Sequence, residues 1–594
     1  MRRSRNDARV LRGVALVALG FLVHCADQSS EDSLGGGGGG GGGACIGPGC
    51  GAGANSATGG SSAGGSSGAA GAPPEQEIES SFRSPVATDR YVWTANPKSS
   101  RVARVDAVSF ETRTFEAGYQ PTFLVAVPAG STGKDRALVI NSGSDDATLF
   151  TMEPSSEVTL QSAPLHEGAN SWTVSQDGRF AIAWSNFTQY PHADVTEGFQ
   201  DVTVLDMTGS KLTSTRLSVG YRPSRIVIDA AGSQAFAVTE PGVTVIDLAT
   251  SFGPTVSRDV PISDDPLVPA RDVEITPDGA FAIVRRDGSA DLGLVSLSDG
   301  QRVTLSLSGP VTDIDLTADG TRAVAVVRSP GSPAPPTDGG TVDAGADGAG
   351  ESDAESDASD DASNDAAIAD AGPPPAAKSS EVFVLPIPGV FTDPSLAAQV
   401  SIPGQTVGSV AIAESGTAAV LYTNATPNDH VTLLNLTPGG TSSYRTVTLK
   451  APVLAAFPAP DGAHAIVLLS PGTGSTKAGA FGVVPITANL PPKIQGTDAP
   501  PIAVSIAPAP SSRAIVTTRS DSQKIYATYL TRLPELQVDR IGLASPPLAS
   551  GMVPAASAAF VAQEHPEGRI TFIDWIKGDA RTLTGFELGA KVVQ

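Results

Sequence analysis

Six histidines, three cysteines and a scatter of carboxylates are the residues of this 594-residue chain whose chemistry could define a site. The histidines are His24, His166, His192, His430, His464 and His565, and no two are spaced as metal ligands on one element. No His-Glu-x-x-His, Cys-x-x-Cys-His, Gly-x-Ser-x-Gly or phosphate-loop pattern occurs. His192 falls with Tyr190 in a long loop, where a ligand contact and plain solvent exposure are both readings. His464 follows a turn at Gly462 and belongs on a surface. Cys45 and Cys50, in Cys45-Ile-Gly-Pro-Gly-Cys50, could be a metal or redox pair. A small local disulfide is favoured, since no second ligand pair and no nearby histidine exists. Asp353, Glu355 and Asp357 alternate like the start of a calcium loop, but the Gly and distant Glu that such a loop needs are missing. That stretch reads as a solvated loop. Glu274, Asp313 and Asp315 stand out as carboxylates within apolar strands. No catalytic residue, cofactor or metal site is assigned from the sequence.

The third cysteine belongs to an export signal. Arg2, Arg3, Arg5, Arg9 and Arg12 precede an uncharged apolar run from Gly13 to Val23. A basic segment followed by about 7–15 apolar residues is the layout of a secretory signal peptide. A helix of that run spans roughly 16 Å, about half a bilayer core, which disfavours a transmembrane anchor. Cys25 closes the run directly. Leu22-Val23-His24-Cys25 resembles a bacterial lipobox, which implies lipidation of the Cys25 thiol; His24 departs from the small residue usual at that position. The alternative is cleavage near Ala26 and free secretion.

Residues 26–81 are expected to be a disordered Gly/Ser/Ala-rich tether. Residues 35–43 are nine consecutive glycines, and no Lys or Arg lies between Arg12 and Arg83. Such a stretch cannot bury enough apolar surface to offset its chain entropy. A second biased segment, residues 330–378, is expected to be a disordered acidic insertion with 11 acidic residues between Asp338 and Asp370. The formal charge of the whole chain is −23, which argues against a nucleic-acid partner, because phosphate binding needs clustered Lys and Arg.

From residue 82 to 594 the chain repeats. One mark is a turn followed by a small apolar strand, as in Asp177-Gly178 before Ala181-Ile182-Ala183, Asp278-Gly279 before Ala282-Ile283-Val284, and Asp319-Gly320 before Ala323 to Val326. Gly adopts φ > 0 without steric cost, so Asp-Gly suits a tight hairpin turn. The second mark is a β-branched strand closed by a polar residue, as in Val202 to Asp206, Val243 to Asp247, Val431 to Asn435 and Ile570 to Asp574. Fainter copies end at Asp106, Thr151, Ser296, Pro386, Pro485 and Thr528. In Arg271 to Ser308 all four strands of a unit are legible: 273–275, 281–284, 292–297 and 303–307. Units of about 45 residues with four short strands match propeller blades. The expected fold is therefore all-β, a β-propeller of about ten four-stranded blades, with a single large ring favoured over two rings. The tail Leu588 to Gln594 is expected to complete the first blade, which lacks a clear inner strand, and so to lock the ring.

Thr276-Pro277-Asp278-Gly279 and Pro460-Asp461-Gly462 resemble the turn of YVTN-type bacterial β-propeller repeats. The resemblance covers residues 82–594 as a repeat class and implies a propeller, usually of seven blades, with almost nothing about activity. Two functions are expected from different classes. The first is a membrane-anchored envelope lipoprotein whose propeller is a non-catalytic scaffold for a protein or glycan. The second is a propeller enzyme, lactonase-like or a cofactor-dependent dehydrogenase. The binding reading is preferred; three or more titratable groups converging in the channel would reverse that.

Overall fold

A computed structural model describes residues 82–187, 199–263, 271–327, 379–436, 442–472, 474–588 and 591–593. The tether, the residues of the acidic insertion, Cys25, Cys45, Cys50 and His192 lie outside the described residues.

Every blade is an antiparallel sheet whose strands follow chain order. The inner strands of blades 1 to 10 are Val86–Ala87, Pro121–Val127, Ser171–Val174, Arg225–Ile228, Arg271–Ile275, Val311–Leu316, Ser409–Ile412, Val453–Pro458, Pro501–Ile506 and Pro547–Val553. Burial follows position within the blade. The second strands are buried along their length, as in Phe180–Trp184 and Ala418–Tyr422, because neighbouring blades cover both faces. Their Ala and Val side chains let the sheets approach closely. The fourth strands mix exposed and partly buried residues, as in Thr112–Glu116, because the sheets splay apart outward.

The core is a series of seams, one between each pair of successive blades. Between blades 5 and 6, for example, Ile283, Leu292 and Leu294 pack on Ile314, Ala325 and Phe383. The last seam closes a single ring of ten blades. Val92, Ala103 and Val105 of blade 1 pack on Val553, Phe560, Phe572, Leu583 and Phe586 at blade 10. Phe82 meets Phe586 edge-on at 5.4 Å, and Asn96 Nδ2 donates to Glu587 Oε1 at 2.9 Å.

The C-terminal tail does not complete the first blade. Residues Lys591–Val593 pair with Ala580–Thr584 and form a fifth, outermost strand on blade 10. Blade 1 already has its own inner strand, Val86–Ala87, paired with Val92 and Trp93, so there is no vacancy for the tail to fill.

The Asp-Gly turns behave as their composition dictates and also bind the ring together. Asp278 Oδ1 accepts from Thr276 Oγ1 at 2.6 Å and from the Ala280 N–H at 3.0 Å; Asp319 does the same with Thr317 and Thr321. Three of the first-to-second-strand turns, Asp177-Gly178, Ala231-Gly232 and Ser415-Gly416, are also held by the preceding blade: Arg136 donates to Gly178 O, Arg179 to Ala231 O and Arg322 to Gly416 O. Gly279 sits at φ +69°, and a Cβ there would lie 2.3 Å from Phe236 of blade 4. Gly300 sits at φ +74° with open space around it. Gly279→Ala is therefore expected to cost about 2–4 kcal/mol, combining left-handed strain with a steric clash, and Gly300→Ala only about 1–2 kcal/mol. Chemical denaturation midpoints check this; equal losses would show that the approach of Phe236 does not matter.

Candidate functional site

The inner strands present an alternating set of side chains to the ring axis, because successive residues of a strand point to opposite sides. In blades 2, 8, 9 and 10 the partly exposed inner-strand residues are largely apolar, among them Leu124, Phe457, Ile502 and Met552. In blades 4, 5 and 6 they include charged residues: Arg225, Glu274, Asp313 and Asp315. Arg225 Nη1 of blade 4 pairs with Glu274 Oε1 of blade 5 at 2.8 Å. Asp272, two residues earlier, is buried, with its Oδ2 3.8 Å from Arg285 Nε. Arg285 also pairs with Asp287 at 2.7 Å.

Asp313 and Asp315 of blade 6 face the next blade. Asp313 Oδ2 accepts from the Val410 N–H at 2.8 Å, and Asp315 Oδ2 from the Ile412 N–H at 2.7 Å. Their other oxygens accept from the following backbone N–H groups, of Ile314 at 2.9 Å and Leu316 at 2.8 Å. The two carboxylates thus stand where a neighbouring strand's carbonyls would, on the inner edge of blade 7. Burial pushes the Asp315 carboxyl up to about 7, with the charges of Glu274 and Asp313 adding to it against the two N–H donors. Burial likewise lifts Asp313 to about 6, and Asp272 adds to it. For Arg225, burial works against the charge, but Glu274, then Asp272 and Asp315, outweigh it and raise its pKa.

Five titratable side chains, Arg225, Asp272, Glu274, Asp313 and Asp315, therefore meet across three blades. Of these, Glu274, Asp313 and Asp315 stood out in the sequence; Arg225 and Asp272 did not. Their only sequence signal is a charge within an inner strand. A carboxyl near 7 can give or take a proton at neutral pH. Among the described residues, no three His, Cys, Asp or Glu side chains form a group that could hold a metal ion.

The four described histidines do not come together. His166 is buried, with Nδ1 2.8 Å from Thr203 Oγ1, and burial pushes its pKa down to about 4, so it is a neutral core residue. His430 opens the third strand of blade 7 beside Asp429 at 2.6 Å. His464 opens the second strand of blade 8, half-buried, which lowers its pKa. His565 lies in a link of blade 10.

No protein-family model and no curated protein matches this chain. Chains similar to it in fold include dihydro-heme d1 dehydrogenase NirN in complex with DHE, 11% identical over 68% of this chain and 72% of that one, with a TM-score of 0.33. The hydrazine synthase of Kuenenia stuttgartiensis is 13% identical over 69% and 92%, with a TM-score of 0.28. Apo AztD from Citrobacter koseri is 10% identical over 67% and 92%, with a TM-score of 0.34.

Proposed function

We propose that this chain is an exported protein of the cell envelope, anchored through lipid on Cys25, whose YVTN-type ten-bladed ring is a non-catalytic scaffold for a protein or glycan. Convergence of titratable groups alone would favour catalysis; their hydrogen bonds weigh the other way. The carrying observation is that Asp313 and Asp315 each spend one oxygen on a backbone N–H of blade 7 and the other on their own strand. Glu274 is likewise paired with Arg225. Groups used in this way hold blades in register. The basic N-terminal segment, the apolar run and the lipobox-like Leu22 to Cys25 support the envelope assignment.

Radiolabelled palmitate fed to a bacterial host is expected to label the native chain and not Cys25→Ala; equal labelling would refute the anchor. A propeller enzyme is the second reading, favoured by the Asp315 carboxyl near 7 beside Glu274 and Asp313. Hydrolysis of simple lactones by the native protein, abolished in Asp315→Asn with folding intact, would put that reading first. The expected result is no Asp315-dependent turnover.

A further inference from the structure

Large apolar side chains that stand in water recur at one topological position. Val108, Phe252, Leu396, Leu490 and Ile576 are 54%, 97%, 48%, 52% and 67% exposed. Each lies in the link between the third and fourth strands of its blade, in blades 1, 4, 6, 8 and 10. Strand direction alternates within a blade, so all third-to-fourth links emerge on the same side of the ring as the Asp-Gly turns. Among the described residues of the opposite links, the large exposed apolar side chains are Tyr119, Tyr221 and Leu588. Among the described residues, the side of the Asp-Gly turns therefore carries a discontinuous apolar rim.

Single side chains spread around a rim do not form the contiguous patch with a buried centre that protein partners use. A flat, fluid surface can meet all of them at once. The chain's net charge of −23 disfavours a strongly anionic surface. We propose that this side of the ring docks on a bilayer of zwitterionic lipid, its rim side chains seated at the boundary of headgroups and acyl chains. The inference rests on the envelope reading above and adds to it an orientation: the face bearing the Asp-Gly turns lies against the membrane and the opposite face is turned outward.

The test uses full-length Cys25→Ser, which has no thiol at that position for lipid, and vesicles of phosphatidylcholine in a flotation titration. The chain is expected to bind. Phe252→Ser, Leu490→Ser and Ile576→Ser, combined, are expected to weaken partitioning by roughly tenfold per residue. All three residues are well exposed, so the melting temperature is expected to be unchanged. Tyr119→Ser with Tyr221→Ser, on the other side, is expected to leave partitioning as it was. All these proteins share one N-terminal segment, so their differences report the ring alone. Partitioning equal in the rim variant and its parent overturns the proposal, as does an equal loss from the tyrosine pair. No vesicle binding, with rim-dependent self-association in sedimentation instead, would make the rim a contact between copies and also overturn it. Palmitate labelling at Cys25 reads the anchor separately, so either idea can fail without the other.

Discussion

Replacing Phe572 or Phe586 by alanine is expected to weaken the ring where its two ends meet, lowering stability by about 3–5 kcal/mol each. Both side chains are almost fully buried between blades 1 and 10, Phe572 against Phe110 at 5.5 Å and Phe586 against Phe82 at 5.4 Å. Among the described residues no backbone pairing links blade 1 to blade 10, and side-chain packing with the Glu587 contacts to Asn96 and Ser99 joins them. Removal of residues 591–594 takes away only a short outer-edge strand and is expected to cost under about 1 kcal/mol. Guanidinium denaturation of the three variants checks both halves. A deletion as costly as Phe572→Ala would mean that the tail, and not the aromatic seam, closes the ring.

A second large effect is expected from pH. The folded protein holds the Asp315 proton to about 7, whereas an unfolded chain releases it near pH 4. Below about 4 both states are protonated and the group contributes nothing. As pH rises from about 4 to 7, only the unfolded state ionises, so stability falls, and above about 7 the loss is complete. Asp313 acts with the same sign up to about 6. At about 1.4 kcal/mol per pH unit, discounted for the solvent on the channel side, Asp315 alone accounts for roughly 2 kcal/mol. Asp315→Asn removes the charge and keeps one oxygen for the Ile412 N–H, while its NH2 group takes the place of the oxygen that accepts from the Leu316 N–H, a loss that is the same at every pH. Its stability relative to the native protein is expected to be about 2 kcal/mol more favourable at pH 8 than at pH 3.5. A difference that stays the same at both pH values would show that the carboxyl is not raised.

Much of the fold was legible because its marks are local. The third strands of blades 1, 3, 4, 5, 6, 7, 8 and 10 end at Asp106, Asp206, Asp247, Ser296, Pro386, Asn435, Pro485 and Asp574, where the repeat placed them. Blade 9 differs: its third strand runs on from Thr528 to Arg532, since the hairpin of Arg513–Ser520 with Ile525–Arg532 is longer and its polar Thr and Arg positions hide the extension. The acidic insertion falls between the second and third strands of blade 6, Arg322–Val327 and Ser379–Pro386. The tail was misplaced because a three-residue strand, Lys591–Val593, reads the same at either edge of a sheet.

By itself, the sequence marked about ten repeat units and the turns within them; that they are ten blades in a single ring is seen in the structure. Asp-Gly geometry, strand alternation and the small apolar second strands all act within a few residues of one another. Only the tertiary structure decided that Arg225 would meet Glu274, 49 residues on, that Asp313 and Asp315 would each reach a backbone N–H 97 residues away, and that blade 10 would close on blade 1 through aromatic rings. The reason is physical: which side chains meet across a seam depends on the angle and radius at which whole sheets pack, and neither quantity is written in any single repeat.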